Sequence, residues 1–195
     1  MKHKHLITFG SVMIVAWILG TLLLAYYWPH LVNNNYKKAI LNQGFGSGSV
    51  QINTLYAEPQ ALFAQPLTAQ STSGSNLMTV GVNHDTLLVV GWLDLSKGPL
   101  VLSVPDMSGR YYSVQFTDPF NTDFAYVGTR TTGTQTGDYL ITGPGWKGSV
   151  PQGMKQVASP NNSVLVIGRV LVYSDNDVSA AYNLAKHIQL TPKNF

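Results

Sequence analysis

Two aspartates on one predicted turn are the first candidates for catalysis in this sequence. Asp118 and Asp123 flank Pro119-Phe120-Asn121, and two carboxylates so close in sequence could serve as a general acid and a general base. The same spacing is typical of a turn in which an aspartate accepts hydrogen bonds from backbone N–H groups. The spacing therefore favours turn capping and leaves the acid–base pair open.

Arg130 is the second candidate, because it is the single cation of an unusual loop. The stretch 129–137 contains five threonines and two glycines. A planar guanidinium among hydroxyl groups could hold a carboxylate or a phosphate through two parallel hydrogen bonds. A solvated surface loop is the alternative, and composition alone favours it.

Further candidates lie at the ends of apolar runs. Asn83 and Asp85 form either a polar turn or a pair of ligand-orienting groups at the mouth of a sheet. Trp146 lies in the tight loop 143–148, where its indole either covers the core or offers a stacking platform for a sugar or an apolar ligand. The candidate ligand-binding residues are Asn83, Asp85, Tyr112, Asp118, Arg130 and Trp146. Gathered around one pocket, the last five would bind a polar or carbohydrate-like substrate.

Motifs that identify an enzyme directly are missing from the sequence. It has no Gly-x-Ser-x-Gly elbow, phosphate-binding loop, paired metal-binding histidines or dinucleotide fingerprint. The absence of cysteine excludes disulfides and thiolate zinc sites. We therefore predict no metal and no cofactor, assign no catalytic residue, and favour a non-catalytic protein while leaving an enzyme open.

Composition excludes a nucleic-acid-binding protein. Although the pI is about 9.1, the chain from residue 31 onward carries ten Lys and Arg against nine Asp and Glu, all scattered. Nucleic-acid binders present a basic stripe or patch instead. Charged residues make up only 11% of the chain, and its polarity comes from Asn, Gln, Ser, Thr and Gly, as in a β-rich domain with many turns.

A membrane anchor must hold these residues at a bilayer. The run from Leu6 to Trp28 is uncharged and mostly apolar, and a helix of about 20 such residues crosses the hydrocarbon core. Because Lys2 and Lys4 precede the run, the positive-inside rule predicts a cytoplasmic N-terminus and a periplasmic or extracellular domain. The sequence thus predicts a single-pass protein of the inner (cytoplasmic) membrane, in contact with the lipid bilayer through Leu6–Trp28.

A cleaved signal peptide is the alternative to a retained anchor. The apolar stretch is longer than the 7–15 residues typical of such peptides, and the bulky residues that close it offer no small-x-small cleavage site. Tyr26, Tyr27 and Trp28 instead match the aromatic belt of a membrane interface. We expect Pro29 to end the helix.

The remaining chain is predicted to form one domain. We divide the sequence into an N-tail with the anchor (1–29), a juxtamembrane stalk (30–49) and a β-rich domain (50–195). Apolar or alternating runs separated by turn residues predict strands at 78–82, 86–95, 100–104, 111–117, 124–128, 139–142 and 164–172. Apolar residues at helical spacing then predict a short C-terminal helix, capped by Asp175 or Asp177 and ended by Pro192. The predicted fold class is mainly β, an antiparallel sandwich or barrel-like domain.

A series of stretches, in unbroken order from Asn83 to Pro192, matches a known pattern. They are Asn83-His84-Asp85-Thr86-Leu87, Trp92-Leu93-Asp94-Leu95-Ser96-Lys97-Gly98-Pro99, Val104-Pro105-Asp106-Met107, Arg110-Tyr111-Tyr112-Ser113 with Asp118, Gly128-Thr129-Arg130-Thr131-Thr132-Gly133, Gly143-Pro144-Gly145-Trp146-Lys147-Gly148, Ser159-Pro160-Asn161-Asn162 and Gly168-Arg169. The series resembles the uncharacterised bacterial family called domain of unknown function twelve fifty-four. The resemblance implies a β-rich domain that usually precedes a second uncharacterised β-domain, and it implies no agreed activity.

This sequence departs from the family pattern at three places. His84 stands where an Arg is expected, Leu88 stands where an aromatic residue is expected, and the chain ends at Phe195 without the companion domain. We therefore expect a separate protein chain to supply the companion domain. The first hypothesis is a non-catalytic binding or assembly module that docks a partner chain or an envelope component. The second is an enzyme or small-ligand binder that uses Asp85, Tyr112, Asp118, Arg130 and Trp146 around one pocket.

Overall fold

The architecture is seen in a computed structural model, which describes residues 2–43, 49–57 and 85–193. The elements in these ranges are, in chain order, helix α1 (Lys2–Gln43), strands β1 (Tyr56–Ala57), β2 (Thr86–Asp94), β3 (Leu100–Val104), β4 (Tyr112–Thr117), β5 (Asp123–Gly128), β6 (Gly137–Thr142), β7 (Lys155–Ala158) and β8 (Ser163–Leu171), helix α2 (Val178–Lys186) and strand β9 (Gln189–Pro192). Asn83 and the strand predicted at 78–82 lie outside the described residues.

The strands form two sheets that share one core. Sheet A has the order β1-β2-β8-β4-β5 and is antiparallel throughout, whereas sheet B has the order β7-β6-β3-β9 and contains one parallel pair, β6 with β7. Side chains from both sheets and from α2 meet in a single buried cluster, with Tyr112, Phe116 and Met107 among its largest members. The predicted mainly β, largely antiparallel sandwich is confirmed.

Strand β2 is buried on both faces, as its nearly continuous apolar sequence predicts. Because successive side chains point to opposite faces, Leu87 and Leu93 face the core between the sheets. Val90 and Trp92 face the other way, into a second cluster with Ile40 of α1. Trp92 is fully buried there, and its indole N–H donates to the Ser163 hydroxyl at 2.7 Å.

Helix α1 corrects the prediction that Pro29 ends the anchor helix. The helix continues through Pro29 to Gln43, although proline lacks the N–H for one intrahelical hydrogen bond. The continuation is stabilised by packing: Ile40 is only 2% exposed, and Tyr36 and Leu41 pack against the same cluster on the outer face of sheet A. The predicted stalk is therefore helical up to Gln43 and lies on the domain. Residues 44–48 of that stalk lie outside the described residues.

The C-terminal segment confirms the predicted helix and corrects its end. Ala181, Ala185 and Ile188 are buried in the main core, as their spacing predicts. The helix ends at Lys186, however, and Pro192 belongs to β9, which pairs with β3 at the edge of sheet B. Proline is tolerated there because an edge strand can leave one N–H position unpaired.

Six predicted strands are confirmed with shifts of at most two residues at their ends: β2, β3, β4, β5, β6 and β8. Strands β1, β7 and β9 were not predicted. They are two to four residues long, too short for a period-2 pattern to stand out from loop sequence.

Candidate functional site

The five sequence-derived candidates that the structure describes lie at two opposite ends of the sandwich. Asp118 follows Thr117, which pairs with Leu165 near the start of β8. Arg130 follows Gly128, which pairs with Ser113 at the other end of the same hairpin. The length of the hairpin, about 17 Å at 3.3 Å per residue, separates them. The structure therefore does not bring Asp118 and Arg130 into one pocket.

Asp118 and Asp123 have separate partners, and only Asp118 caps the turn as predicted. One carboxylate oxygen of Asp118 accepts from the backbone N–H groups of Phe120 and Thr122, at 2.8 and 2.9 Å. The other accepts from the Asn161 side-chain amide at 3.4 Å. Asp123 accepts instead from side chains on the outer face of sheet A: Gln115, Thr117 and Tyr126. Its bond from the Tyr126 hydroxyl raises the pKa of that phenol.

The threonine-rich loop has a fixed internal structure. The Gly128 carbonyl accepts from the N–H groups of Thr131, Thr132 and Gly133, while the Thr132 hydroxyl accepts from Gly128 N–H at 3.0 Å. Buried Tyr112 ties this loop to the core, because its hydroxyl donates to the Gly133 carbonyl at 3.1 Å. Burial of that phenol raises its pKa. Several of the hydroxyls proposed as ligand contacts therefore serve the loop itself.

Arg130 points outward from this loop. Its guanidinium lies over the Tyr111 ring, 5.6 Å from the centroid, and the residue is exposed. A cation–π contact at an exposed site stabilises by about 0.5–1 kcal/mol. Asp85, the other charged candidate of this end, is also exposed, and its backbone carbonyl accepts from Val172 N–H at 2.7 Å.

Trp146 lines a small pocket at the end of the sandwich that carries Asp118. Its indole lies directly beside Gly148, where a Cβ atom would come within 2.4 Å of the ring. The pocket beside it has a volume of about 300 Å³ and is also lined by Leu95, Ser96, Pro99 and Asn162. The indole thus forms one wall of a shallow, partly polar recess.

An ion pair that the sequence analysis missed joins α2 to the sandwich. Arg110 binds both carboxylate oxygens of Asp177, at 2.6 and 2.7 Å, and also donates to the Leu171 carbonyl. The side chains are only 10% and 18% exposed. The bond from Arg110 lowers the pKa of Asp177. Asp177 does occupy the N-cap position of α2, as predicted, but its side chain makes no cap bond there. The sequence offered only one signal, an arginine next to a predicted strand.

An open groove lies between α1 and the outer face of sheet A. Its volume is about 480 Å³, within the range of ligand pockets. One wall is α1, with Trp28, Val32 and Asn33, and the floor is sheet A, with Leu165 and Ile167. The β4–β5 turn closes one end through Phe120 and Asn121. None of the five sequence-derived candidates that the structure describes lines this groove.

Beside the groove lies a network of polar side chains on the same face. Gln115 and Thr117 line the groove and donate to the Asp123 carboxylate at 2.8 and 2.7 Å. Tyr126 closes the network from β5 with a 2.7 Å bond to the other carboxylate oxygen. The network fixes these side chains along the rim. In the part of the chain that the structure describes, no cluster of three or more His, Asp or Glu residues is suited to a metal ion.

Helix α1 contains the one segment within the described residues that is long and apolar enough to cross a membrane. A span of 34 residues from Phe9 to Asn42 has a peak mean hydropathy of 2.0, and none of that peak is buried against the protein. Trp28 and Pro29 thus belong both to the exposed apolar helix and to the wall of the groove.

Comparison with known proteins identifies the family of the domain and a similar structure. A family model described as "Protein of unknown function (DUF1254)" matches residues 63–192. The crystal structure of the VPA0106 protein from Vibrio parahaemolyticus is similar over 86% of this chain, with 25% sequence identity and a TM-score of 0.62. The match covers 36% of that protein, so this chain spans about a third of its length. No curated protein matches this chain.

Proposed function

The chain belongs to the DUF1254 family, whose function is unknown. We propose that it is a membrane-anchored, non-catalytic binding or assembly module. In this proposal α1 spans the inner membrane with its N-terminus in the cytoplasm, and the sandwich lies in the periplasm or outside the cell. The observation that supports the proposal is the groove, which begins where the exposed apolar segment of α1 ends.

The lining of the groove defines the chemistry of its occupant. None of the twelve lining residues is charged, so an anionic group that entered would lose hydration without gaining a counter-charge from the lining. Val32, Leu165 and Ile167 offer apolar contact. Within the described residues the side-chain amides of Asn33 and Asn121 make no hydrogen bond, and an amide can both donate and accept. An uncharged polypeptide segment, with apolar side chains and backbone amides, matches this lining.

The position of the groove favours a partner held in the same bilayer. A partner anchored beside α1 is confined near the groove, and this raises its effective concentration without any new contact. A volume of 480 Å³ holds only a few side chains, whereas a stable interface buries about 800 Å² per partner. The groove would therefore receive the central residues of a larger interface.

Photo-crosslinking in intact cells tests this function. A photoreactive phenylalanine derivative at Asn33, inside the groove, should give one discrete protein adduct, and the same probe at exposed Lys155 on β7 should give none. Mass spectrometry should identify an adduct partner that has its own membrane segment and is crosslinked through an uncharged stretch.

Two further variants test whether formation of the adduct depends on the groove. Ile167→Lys puts a charge on the groove floor and should abolish the adduct. Arg169→Lys, two residues further along β8 and on the same face, should leave it unchanged. Adducts with lipid alone, or a protein adduct that survives Ile167→Lys, would contradict a protein partner in the groove.

The recess beside Trp146 supports a second candidate function, the binding of a small ligand. The indole could stack on an apolar sugar face while Ser96 and Asn162 offer hydrogen bonds. Native-gel retardation by soluble envelope glycans tests it: the wild type should be retarded and Trp146→Ala should not. Equal migration of the two proteins would remove this candidate.

A further inference from the structure

An exposed aromatic side chain of the β-sandwich lies against the helix just beyond its apolar segment. Phe120, in the β4–β5 turn, contacts His30 of α1 edge to face, with the ring centroids 4.9 Å apart. Phe120 is nevertheless 49% exposed. About half of this large apolar side chain is therefore exposed, beside the position of His30 along α1.

Along the axis of α1, His30 lies close to the aromatic residues at the end of the apolar run. The His30 ring lies 5.8 Å from the ring of Tyr26, which in turn contacts Tyr27 at 5.0 Å. Trp28 is also exposed. Two residues of helix from Trp28 to His30 correspond to a rise of about 3 Å. Aromatic rings at the end of a spanning helix occupy the headgroup region of a bilayer. Phe120, whose ring centroid is 4.9 Å from that of His30, lies close to that level.

The turn holds Phe120 in a fixed position. Its backbone N–H donates to the buried Asp118 carboxylate, and Asn121 N–H donates to the Asp118 carbonyl at 3.0 Å. Asn121 has a φ of 62°, a left-handed conformation that asparagine tolerates better than most residues. The tip itself, Pro119-Phe120-Asn121, carries no charge. An uncharged, rigid tip with an aromatic side chain suits the headgroup region, where a charge close to the acyl chains would be costly.

We propose that the β4–β5 turn inserts Phe120 into the headgroup region of the leaflet from which α1 emerges. The domain then contacts the bilayer at two points, through α1 and through this turn, and the membrane surface fixes its orientation. The inference rests on the proposed membrane anchoring. It does not depend on which side of the membrane the domain occupies, because the turn lies at the Trp28 end of the helix in either topology.

Site-directed spin labelling of the full chain in phospholipid vesicles tests the inference, since the protein has no cysteine of its own. Three single-cysteine variants are compared by their collision rates with oxygen, which enriches in lipid, and with a water-soluble nickel complex. Phe120→Cys probes the turn, Tyr173→Cys probes an aromatic position that is 61% exposed near Arg110 at the other end of the sandwich, and Leu19→Cys probes the anchor. Pro119→Cys, which retains Phe120, repeats the measurement in case the ring itself is needed for contact.

The expected result is an intermediate oxygen-to-nickel ratio at 119 and 120, a low ratio at 173 and a high ratio at 19. If labels at 119 and 120 give the low ratio of position 173 while position 19 remains lipid-exposed, the turn does not contact the membrane and the inference is wrong. If position 19 also gives the low ratio, the proposed anchoring fails and the inference fails with it.

Discussion

Arg110 binds Asp177 through two parallel hydrogen bonds of 2.6 and 2.7 Å, across 67 residues of sequence. The pair joins the segment before β4 to the start of α2, the helix that covers one part of the core. Asp177 also accepts from Tyr173 N–H, and the Arg110 guanidinium lies over the Tyr173 ring at 5.1 Å. One bidentate contact thus fixes a helix whose own N-cap side chain makes no cap hydrogen bond.

Asp177→Asn should destabilise the domain by about 1–3 kcal/mol, because Arg110 would lose its charged partner while remaining mostly buried. The pH dependence follows from the lowered pKa of Asp177. A depressed folded-state pKa gives stability that is fully present above the unfolded-state value, near 3.8, and is lost as the pH falls through the folded-state pKa. Urea unfolding of both proteins between pH 2 and 7 should therefore show a constant difference above about pH 5 that shrinks below pH 4. A difference that grows in acid would contradict this role.

Arg130→Ala should change the free energy of unfolding by no more than about 1 kcal/mol, the value of one exposed cation–π contact. Arg130→Lys retains a cation for the Tyr111 ring and should lie between Ala and the wild type. Both variants should also form the Asn33 adduct at the wild-type level, because Arg130 lies at the opposite end of the hairpin from the Phe120 turn that borders the groove. Loss of the adduct with unchanged stability would show that Arg130 takes part in partner binding.

Val90→Asp should abolish folding, since Val90 is buried between sheet A and α1 and an unpaired buried carboxylate costs several kcal/mol. Thr134→Ala is the matched control on the loop. Thr134 contributes its backbone carbonyl to a bond from Met107 N–H, which alanine preserves, so the change should be below about 0.5 kcal/mol. Circular dichroism and thermal melts measure both. Similar melting temperatures would rule out the packing of α1 on β2.

The full-length chain should remain in the membrane pellet after high-salt and alkaline washing, because its anchor buries about 20 apolar residues. Recovery of a soluble form without the first 25–30 residues would indicate a cleaved signal peptide.

Protease added to spheroplasts should digest the domain beyond α1, as the basic N-terminus requires. Digestion only after lysis would reverse the topology.

Local sequence patterns identified the apolar helix, α2 and six of the nine strands in the described residues. Apolar runs and period-2 alternation identified six strands because each of those strands has at least one buried face, and burial is what selects side chains at that spacing. The same reasoning found the apolar helix and the buried face of α2. Turn capping by Asp118 was also foreseeable, since that contact joins residues two to four positions apart.

Features that depend on contacts between residues distant in sequence could not be predicted and were seen only in the folded domain. Helix α1 continues past Pro29 because Ile40 packs in a buried cluster with Trp92, 52 positions away in sequence. No local sequence pattern predicts that contact. The same holds for Arg110 with Asp177 and for the groove between α1 and sheet A. The candidate residues were chosen for their chemical types, and the hairpin length separated Asp118 from Arg130. Strand register and helix packing, which are set by the whole core, determine which side chains meet.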